Sequence, residues 1–199
     1  RFDDKEWRRC AMIGGFEKAH RGVGPMVQRD NQTYFGHDGK TIYVALRSRI
    51  FPGEKLKSNV IMKKRDDQWG DDLFQVFYIK PDGKECLIFD VSPHTFSDAT
   101  HDRRLIKLDY QTSGQVAASV TKDWFSVEIS LPAKDLGMDQ LTGESIRFNA
   151  IRWTPENDFY AALQPVKHLI REEAQWDDFA KLTFSPDATA ARVSVEGAT

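Results

Sequence analysis

Apolar residues recur at every second position, or fill short continuous runs, over much of this chain of 199 residues. Within residues 41–50, Ile42, Val44 and Leu46 fall on one side and polar residues on the other, which is the two-residue period of a half-buried strand. Residues 73–80 form a nearly continuous apolar run, which is typical of a buried strand. Further strand patterns occupy six segments: 85–91, 103–110, 115–121, 124–131, 145–152 and 179–184.

Turn residues separate these segments at short intervals. The sequence H-D-G-K at 37–40 precedes the first long strand, and P-D-G-K at 81–84 is a hairpin signal between two strands. Evenly spaced short strands with turns between them favour an all-β sandwich or barrel over an α/β fold. Only one or two short helices are predicted, a single turn at 132–137 that begins with Pro and ends with Gly, and a second at 166–176.

The chain is predicted to form one β-sandwich domain over residues 1–185. The end of the chain, 186–199, is rich in Ala, Ser and Thr without periodicity, and we interpret it as a tail or the start of a linker. The first residue is Arg1 and not Met, so we read the chain as a mature or excised segment. At this length a domain buries a sizeable core without disulfides or a metal.

Composition narrows the possible partners. Hydrophobic residues make up 40% and charged residues 29%, which are ordinary values for a globular protein. The formal net charge is −2, which argues against a nucleic-acid partner, because such proteins usually carry a basic face. No apolar run approaches the roughly 18 residues that a membrane-spanning helix needs.

Catalytic motifs are absent from the sequence. There is no G-x-S-x-G elbow, no H-E-x-x-H and no glycine loop in the strand-to-helix context that a phosphate requires, and the five His residues have no ligand spacing. The chain is therefore predicted not to be an enzyme. Cys10 and Cys86 are expected to be two buried free thiols, with a disulfide as the alternative if their Cα atoms lie within about 6 Å.

Adjacent aspartates occur at four places in the chain, at 3–4, 66–67, 71–72 and 177–178. Such pairs are typical of solvated turns. The functional alternative is calcium, which prefers carboxylate and carbonyl oxygens. Asp71 and Asp72 are the candidate metal ligands, although no EF-hand spacing surrounds them.

Tryptophan provides the more informative signal. Trp69 and Trp176 lie in strongly polar stretches, so each is a candidate for an exposed indole that stacks on a sugar ring while nearby polar groups bind its hydroxyls. Trp124 begins an apolar strand and is expected in the core, and Trp7 is expected to pack at the N-terminal edge. Trp153 follows a strand, and its role is open at this point.

Six segments carry a resemblance to one protein family, over nearly the whole chain. They are F-D-D-K-E-W at 2–7, H-D-G-K-T-I-Y-V-A at 37–45, W-G-D-D-L-F-Q-V-F at 69–77, W-F-S-V-E-I with the L-P and L-G that follow it within 124–137, G-E-S-I-R-F-N-A-I-R at 143–152 and F-A-K-L at 179–182. In this order they resemble the family 9 carbohydrate-binding modules and their family-9-like, DOMON-related relatives. The resemblance implies an immunoglobulin-like, jelly-roll-like antiparallel β-sandwich, with structural calcium in some members and a sugar held between two Trp rings.

By this resemblance Trp69 occupies the first ring position, and Trp176 is the candidate for the second. Two departures are visible. Gln75 stands where the family signature has Glu, and A-A-L-Q-P at 161–165 has no aromatic where many members have Ser-Trp before Pro. The predicted ligand-binding residues are Trp69, Gln75, Asp90, Trp153 and Trp176.

Three functions follow from these expectations. The first is a non-catalytic module that is secreted to an extracellular or periplasmic location and targets a neighbouring catalytic domain to a polysaccharide. The second is a structural or interaction sandwich without a sugar site, consistent with Gln75 and Leu163. The third is a haem or electron-transfer domain, for which an axial ligand would have to come from a residue such as Met12, Met26, Met62 or Met138.

Overall fold

The structure is a computed structural model that describes residues 5–18, 29–58, 70–94, 96–102, 105–108, 112–155, 159–163, 173–186 and 193–196. These residues form fourteen strands and three 3-10 helices. The strands are β1 (Ala11–Gly14), β2 (Glu17–Lys18), β3 (Asn31–His37), β4 (Thr41–Arg49), β5 (Leu73–Ile79), β6 (Glu85–Val91), β7 (Phe96–Asp102), β8 (Leu105–Leu108), β9 (Gln115–Val120), β10 (Trp124–Pro132), β11 (Ser145–Thr154), β12 (Phe159–Ala162), β13 (Ala180–Phe184) and β14 (Val193–Glu196). The 3-10 helices are Lys5–Arg9, Ala133–Leu136 and Glu173–Asp178.

The strands form two sheets in which every described pairing is antiparallel. The five-stranded sheet has the order β1-β3-β4-β10-β9. The nine-stranded sheet follows the path β14-β13-β11-β5-β6-β7-β8, with β12 beside β11 and β2 beside β12. The prediction of an all-β antiparallel sandwich is confirmed.

The main core lies between the two sheets and is rich in aromatic rings. Alternate residues of β4, β5 and β10 point into it, as the two-residue period predicts for β4. Phe35 from the five-stranded sheet meets Phe148 from the nine-stranded sheet edge-on, with ring centroids 4.9 Å apart. Phe74 and Phe125 make a second contact between the sheets at 5.2 Å. Such aromatic pairs combine large buried areas with preferred geometry.

The side of the nine-stranded sheet that points away from the main core carries a second apolar cluster. We call this side the outer face. All seven residues of β5 are buried, because Phe74, Val76 and Tyr78 enter the main core while Phe77 and Ile79 enter this second cluster. The cluster comprises Phe77, Ile79, Cys86, Ile88, Ile151, Ala162, Trp176 and Phe179. Burial on both faces explains the continuous apolar run in the sequence.

Most predicted strands match observed strands within two residues at each end. The expected strand at 103–110 contains β8 (Leu105–Leu108), which pairs antiparallel with β7, and residues 103, 104, 109 and 110 lie outside the described part of the chain. Strand β3 escaped prediction because its inward positions include Asn31 and Thr33, which are polar yet buried. The segment predicted as a tail contains β14, which pairs with β13; the domain boundary at 185 itself stays a prediction.

The two predicted helices have different outcomes. The turn at 132–137 is confirmed as a 3-10 helix, with Pro132 before it and Gly137 in the left-handed conformation at φ 75° after it. Of the second, residues 166–172 lie outside the described part of the chain, and a 3-10 helix spans Glu173–Asp178. No helix among the described residues is long and apolar enough to cross a membrane. Neither Cys10, which is half-buried, nor Cys86, which is buried, forms a disulfide.

Replacing Tyr78 by Phe is expected to raise the free energy of unfolding by about 1 kcal/mol. The Tyr78 hydroxyl is fully buried and has no hydrogen-bond partner among the described residues, and burial raises its pKa. Removing an unsatisfied buried hydroxyl removes its desolvation cost. Tyr43→Phe is the matched control, because the Tyr43 hydroxyl donates to Asp38 Oδ2 at 2.9 Å, and its loss should not stabilise the domain. Urea denaturation measures the free energy of unfolding of both variants. A Tyr78→Phe variant that loses as much stability as Tyr43→Phe would contradict this prediction.

Candidate functional site

The predicted residues Gln75, Asp90 and Trp153 come together at one end of the outer face. Gln75 shares this face with Phe77 by strand alternation, and it lies opposite Asp90 on β6. On its other side Gln75 lies opposite Ile151 of β11, and Trp153 is two positions further along that strand, opposite Leu73. We call the patch formed by Gln75, Asp90 and Trp153 the polar end of the outer face.

Gln75 and Asp90 are joined by a hydrogen bond. The Gln75 amide Nε2 donates to Asp90 Oδ1 at 2.7 Å, and only 3% and 1% of the two residues are exposed. A buried carboxylate requires polar partners, since leaving it unpaired costs several kcal/mol. The bond therefore fixes the orientation of both side chains. Together they present amide and carboxylate groups, which supply both donors and acceptors for hydroxyls.

Trp153 adds an aromatic wall to this patch. It is 8% exposed and lies on β11, diagonally opposite Gln75 of β5, a distance that a large side chain can span between neighbouring strands. An indole beside an amide and a carboxylate combines an apolar surface with fixed polar groups, which is the usual composition of a small-ligand site. The sequence left the role of Trp153 open, and the structure places it beside Gln75.

Asp72 faces the interior and not the polar end. Its Oδ1 accepts from Arg152 Nη2 at 2.6 Å, and its Oδ2 accepts from the Lys57 backbone N–H at 2.7 Å. Arg152 is fully buried over the rings of Phe74 and Phe125, at 5.7 and 5.3 Å from their centroids. Burial lowers the pKa of the Arg152 guanidinium, and the charge and hydrogen bond of Asp72 oppose that change.

The calcium prediction gains no support from this arrangement. Both oxygens of Asp72 already accept hydrogen bonds from the protein, and Asp71 is fully buried. Among the described residues no group of three or more His, Cys, Asp or Glu side chains lies close enough to hold a metal ion. Calcium at Asp71 and Asp72 stays a prediction.

The two Trp residues of the predicted clamp are not brought to the polar end within the described residues. Trp69 lies outside the described part of the chain. Trp176 is 2% exposed and packs in the outer cluster, where it lines a cleft of about 440 Å³ with Ile79 and Arg147. Ile79 is four positions from Gln75 along β5, a separation of about 13 Å. The binding roles of Trp69 and Trp176 stay predictions.

Two other tryptophans lie on the outside of the five-stranded sheet. The expectation that Trp124 is in the core is wrong: it is only partly buried, and the guanidinium of Arg47 covers its ring at 4.4 Å. Its neighbour Phe125 takes the core position instead, because consecutive strand residues point to opposite faces. Trp7 lies over the same surface and donates from Nε1 to Glu128 Oε1 at 2.9 Å.

The methionines considered as axial ligands are dispersed. Met12 is 54% exposed on β1, and Met138 packs in the main core. Met26 and Met62 lie outside the described residues. This distribution gives no specific support to a haem site.

Sequence reasoning missed Arg152, which supports the candidate site structurally. It was visible as the last residue of the G-E-S-I-R-F-N-A-I-R motif, yet nothing in the motif shows that it reaches a carboxylate 80 positions away. Arg152 nevertheless stabilises the site from the core side of the nine-stranded sheet. It bonds the Leu73 carbonyl oxygen at 3.4 Å and also the Trp153 carbonyl oxygen, which joins the ends of the two strands that carry Gln75 and Trp153.

No protein-family model and no curated protein matches the chain. A candidate carbohydrate-binding protein from Bacteroides uniformis ATCC 8492 superposes with a TM-score of 0.68 at 9% identity, covering 84% of each chain. A family 9 carbohydrate-binding module from Caldicellulosiruptor kristjanssonii, solved in complex with cellotriose, gives 0.60 at 10% identity over 97% of this chain and 91% of that one. The chain therefore has the β-sandwich fold of the family 9 carbohydrate-binding modules.

Proposed function

We propose that this domain binds carbohydrate without catalysing a reaction, at the polar end of the outer face. The observation that carries the proposal is the buried hydrogen bond between Gln75 and Asp90 beside the indole of Trp153. Sugars present hydroxyls around an apolar C–H surface, so their recognition requires fixed donors and acceptors next to an aromatic ring. The two structures of similar fold are named as carbohydrate-binding proteins, which agrees with this choice of ligand.

The energetics of burial favour a binding role for Gln75 and Asp90 over a purely structural one. The rest of the outer face is packed with apolar side chains, such as Phe77, Ile88 and Ile151. A buried polar pair in such surroundings is seldom better for stability than apolar residues of similar size. Polar groups kept in an apolar environment therefore point to a functional site.

We place the domain in a secreted protein, extracellular or periplasmic, where it would direct a neighbouring catalytic domain to a polysaccharide. Trp69 stands six positions before Gln75 in the sequence, so we assign it the second aromatic wall of the site. In this proposal Trp176 belongs to the packed cluster, and calcium at Asp71 would have only a structural role.

Asp90→Asn is expected to weaken glycan binding by roughly ten- to hundredfold, because a hydroxyl loses a charged acceptor worth roughly 1.5–3 kcal/mol. Asparagine keeps the oxygen that accepts from Gln75, so the fold should be retained. Isothermal titration with cellotriose first, and then with a panel of soluble oligosaccharides, measures the effect.

Asp82→Asn provides the matched control for this experiment. Asp82 is exposed in the hairpin turn at the far end of β5, and its Oδ1 accepts from the Lys84 N–H, a bond that asparagine also accepts. The proposal is wrong if no oligosaccharide of the panel binds, if Asp90→Asn leaves the affinity unchanged, or if both variants weaken it equally.

A further inference from the structure

Strand β9 forms one edge of the five-stranded sheet. It pairs with β10 on one side, and no other described strand pairs with its second side. The Thr121 backbone N–H donates to the Trp124 carbonyl oxygen at 2.8 Å in the hairpin, and this bond identifies which backbone groups of β9 point toward β10. Because hydrogen-bonded pairs alternate along an antiparallel ladder, the N–H and C=O groups of Val116, Ala118 and Val120 point away from β10.

This edge lacks the features that usually protect an edge strand. Natural edges are blunted by Lys or other charges, by Pro or by a bulge. The sequence of β9 is Q-V-A-A-S-V, which contains none of these residues, and its pairing with β10 runs without a bulge. On the solvent side of the sheet Ala117 and Ser119 are small and exposed, so β9 itself projects no bulky side chain on that side.

Val120 supplies a second observation. It is one of few large apolar side chains that the described residues expose, at 49%. It lies on the same side of the strand as Val116 and Ala118, which are partly buried against the main core. Because the core does not cover Val120, an apolar neighbour beyond the edge would bury it.

We propose that β9 pairs antiparallel with β9 of a second copy of this chain, centred on Ala118, so that two five-stranded sheets become one continuous sheet. In this register Val116 of each copy lies opposite Val120 of the other, and every outward N–H and C=O of the three residues finds a partner. The Val116–Val120 pairs bury the exposed Val120 side chain in cross-strand contacts.

The charges beyond the strand fit the same register. Lys122 of one copy lies opposite Gly114 of the other, close to the turn that Asp135 holds through its bonds to Thr112 and Ser113. The cation therefore approaches a carboxylate, and no like charges are opposed along the paired segment. This complementarity supports a second copy as the occupant of the edge.

The dimer has a consequence for ligand binding, which rests on the proposed function. A two-fold axis perpendicular to the shared sheet places both nine-stranded sheets on the same side of it. The two polar ends then face in one direction, so a polysaccharide surface can be bound at two points. Such bivalent attachment can exceed the single-site affinity by roughly a hundredfold.

The test is sedimentation equilibrium on the full chain, unsubstituted and in three variants. The unsubstituted protein should show a monomer–dimer equilibrium. Val120→Lys should weaken the dimer by roughly a hundredfold or more, because it would bury an unpaired ammonium in the interface. Ala117→Lys introduces the same charge on the exposed sheet face three positions earlier and should leave dimerisation almost unchanged.

Circular dichroism establishes that each variant is folded, and Ala118→Pro serves as a second edge variant because it removes only an outward N–H. The proposal is overturned if the unsubstituted chain is monomeric throughout, if both edge variants still dimerise, or if Ala117→Lys also separates the copies. Binding to insoluble polysaccharide should weaken in Val120→Lys, while titration with cellotriose should not change. A dimer without any glycan binding would overturn only the proposed function.

Discussion

Replacing Asp72 by Asn is expected to lower the free energy of unfolding by about 3–5 kcal/mol, since it leaves the guanidinium of Arg152 buried without a counter-charge. That loss is a large part of the roughly 5–15 kcal/mol that stabilises a typical domain. Arg152 is fully buried, and its Nη2 lies 2.6 Å from Asp72 Oδ1. Urea denaturation measures the effect, and Asp123→Asn is the control because that carboxylate is exposed.

The reverse change, Arg152→Met, should be destabilising for the complementary reason. It leaves the Asp72 carboxylate buried, although a thioether packs well over the Phe74 and Phe125 rings that the guanidinium now covers. The double variant should therefore lose less stability than the sum of the two single losses, with a coupling of about 0.5–3 kcal/mol. Strict additivity would show that the ion pair does not stabilise the join between β5 and β11.

How far the sequence predicts the site depends on how far apart in the chain its parts lie. The hairpin signal at 81–84 fixes the register of β5 and β6, because Lys80 N bonds to Glu85 O and the pairing then brings Gln75 opposite Asp90. This contact could have been derived from the turn and the two apolar runs. The partnership of Asp72 and Arg152 joins strands 80 positions apart, and no local pattern indicates it.

Tryptophan shows the limit of reading exposure from neighbouring residues in the sequence. Trp176 stands among charged residues yet is buried, since Phe77 and Phe179 pack around it on the outer face. Trp124 begins an apolar strand yet lies on the outside, beneath Arg47. Phe77 is distant from Trp176 in the chain, and Arg47 is distant from Trp124. Hydrophobic pattern predicts the strand, but the sheet arrangement decides which side of it is covered.

Gln75→Glu is expected to destabilise the domain by about 3 kcal/mol near neutral pH, the equivalent of roughly two pKa units. The change places two carboxylates at the 2.7 Å contact that an amide donor now occupies, with almost no exposure to solvent. Two such groups ionise together only at high cost, so the folded state would retain a shared proton and the pKa of the pair would be raised.

The sign of the pH dependence follows from this retained proton. Between the ordinary pKa of a carboxyl and the raised pKa of the pair, the folded variant binds more protons than the unfolded chain, so its stability falls as the pH rises. The stability that Gln75→Glu loses relative to the unsubstituted protein should therefore be greatest above the raised pKa of the pair. This loss should shrink as the pH is lowered through that pKa. Chemical denaturation at a series of pH values measures this difference.

Gln115→Glu is the matched control, because Gln115 is exposed on the edge strand β9 and the same substitution there should change stability little at any pH. Parallel stability curves for Gln75→Glu and the unsubstituted protein would refute the buried amide–carboxylate contact. The cost of placing two carboxylates in contact also accounts for Gln75, which stands where the signature of the family 9 modules has Glu. With Asp90 directly opposite, a Glu at 75 would place like charges in a dry contact, whereas the Gln75 amide donates a hydrogen bond to Asp90 Oδ1.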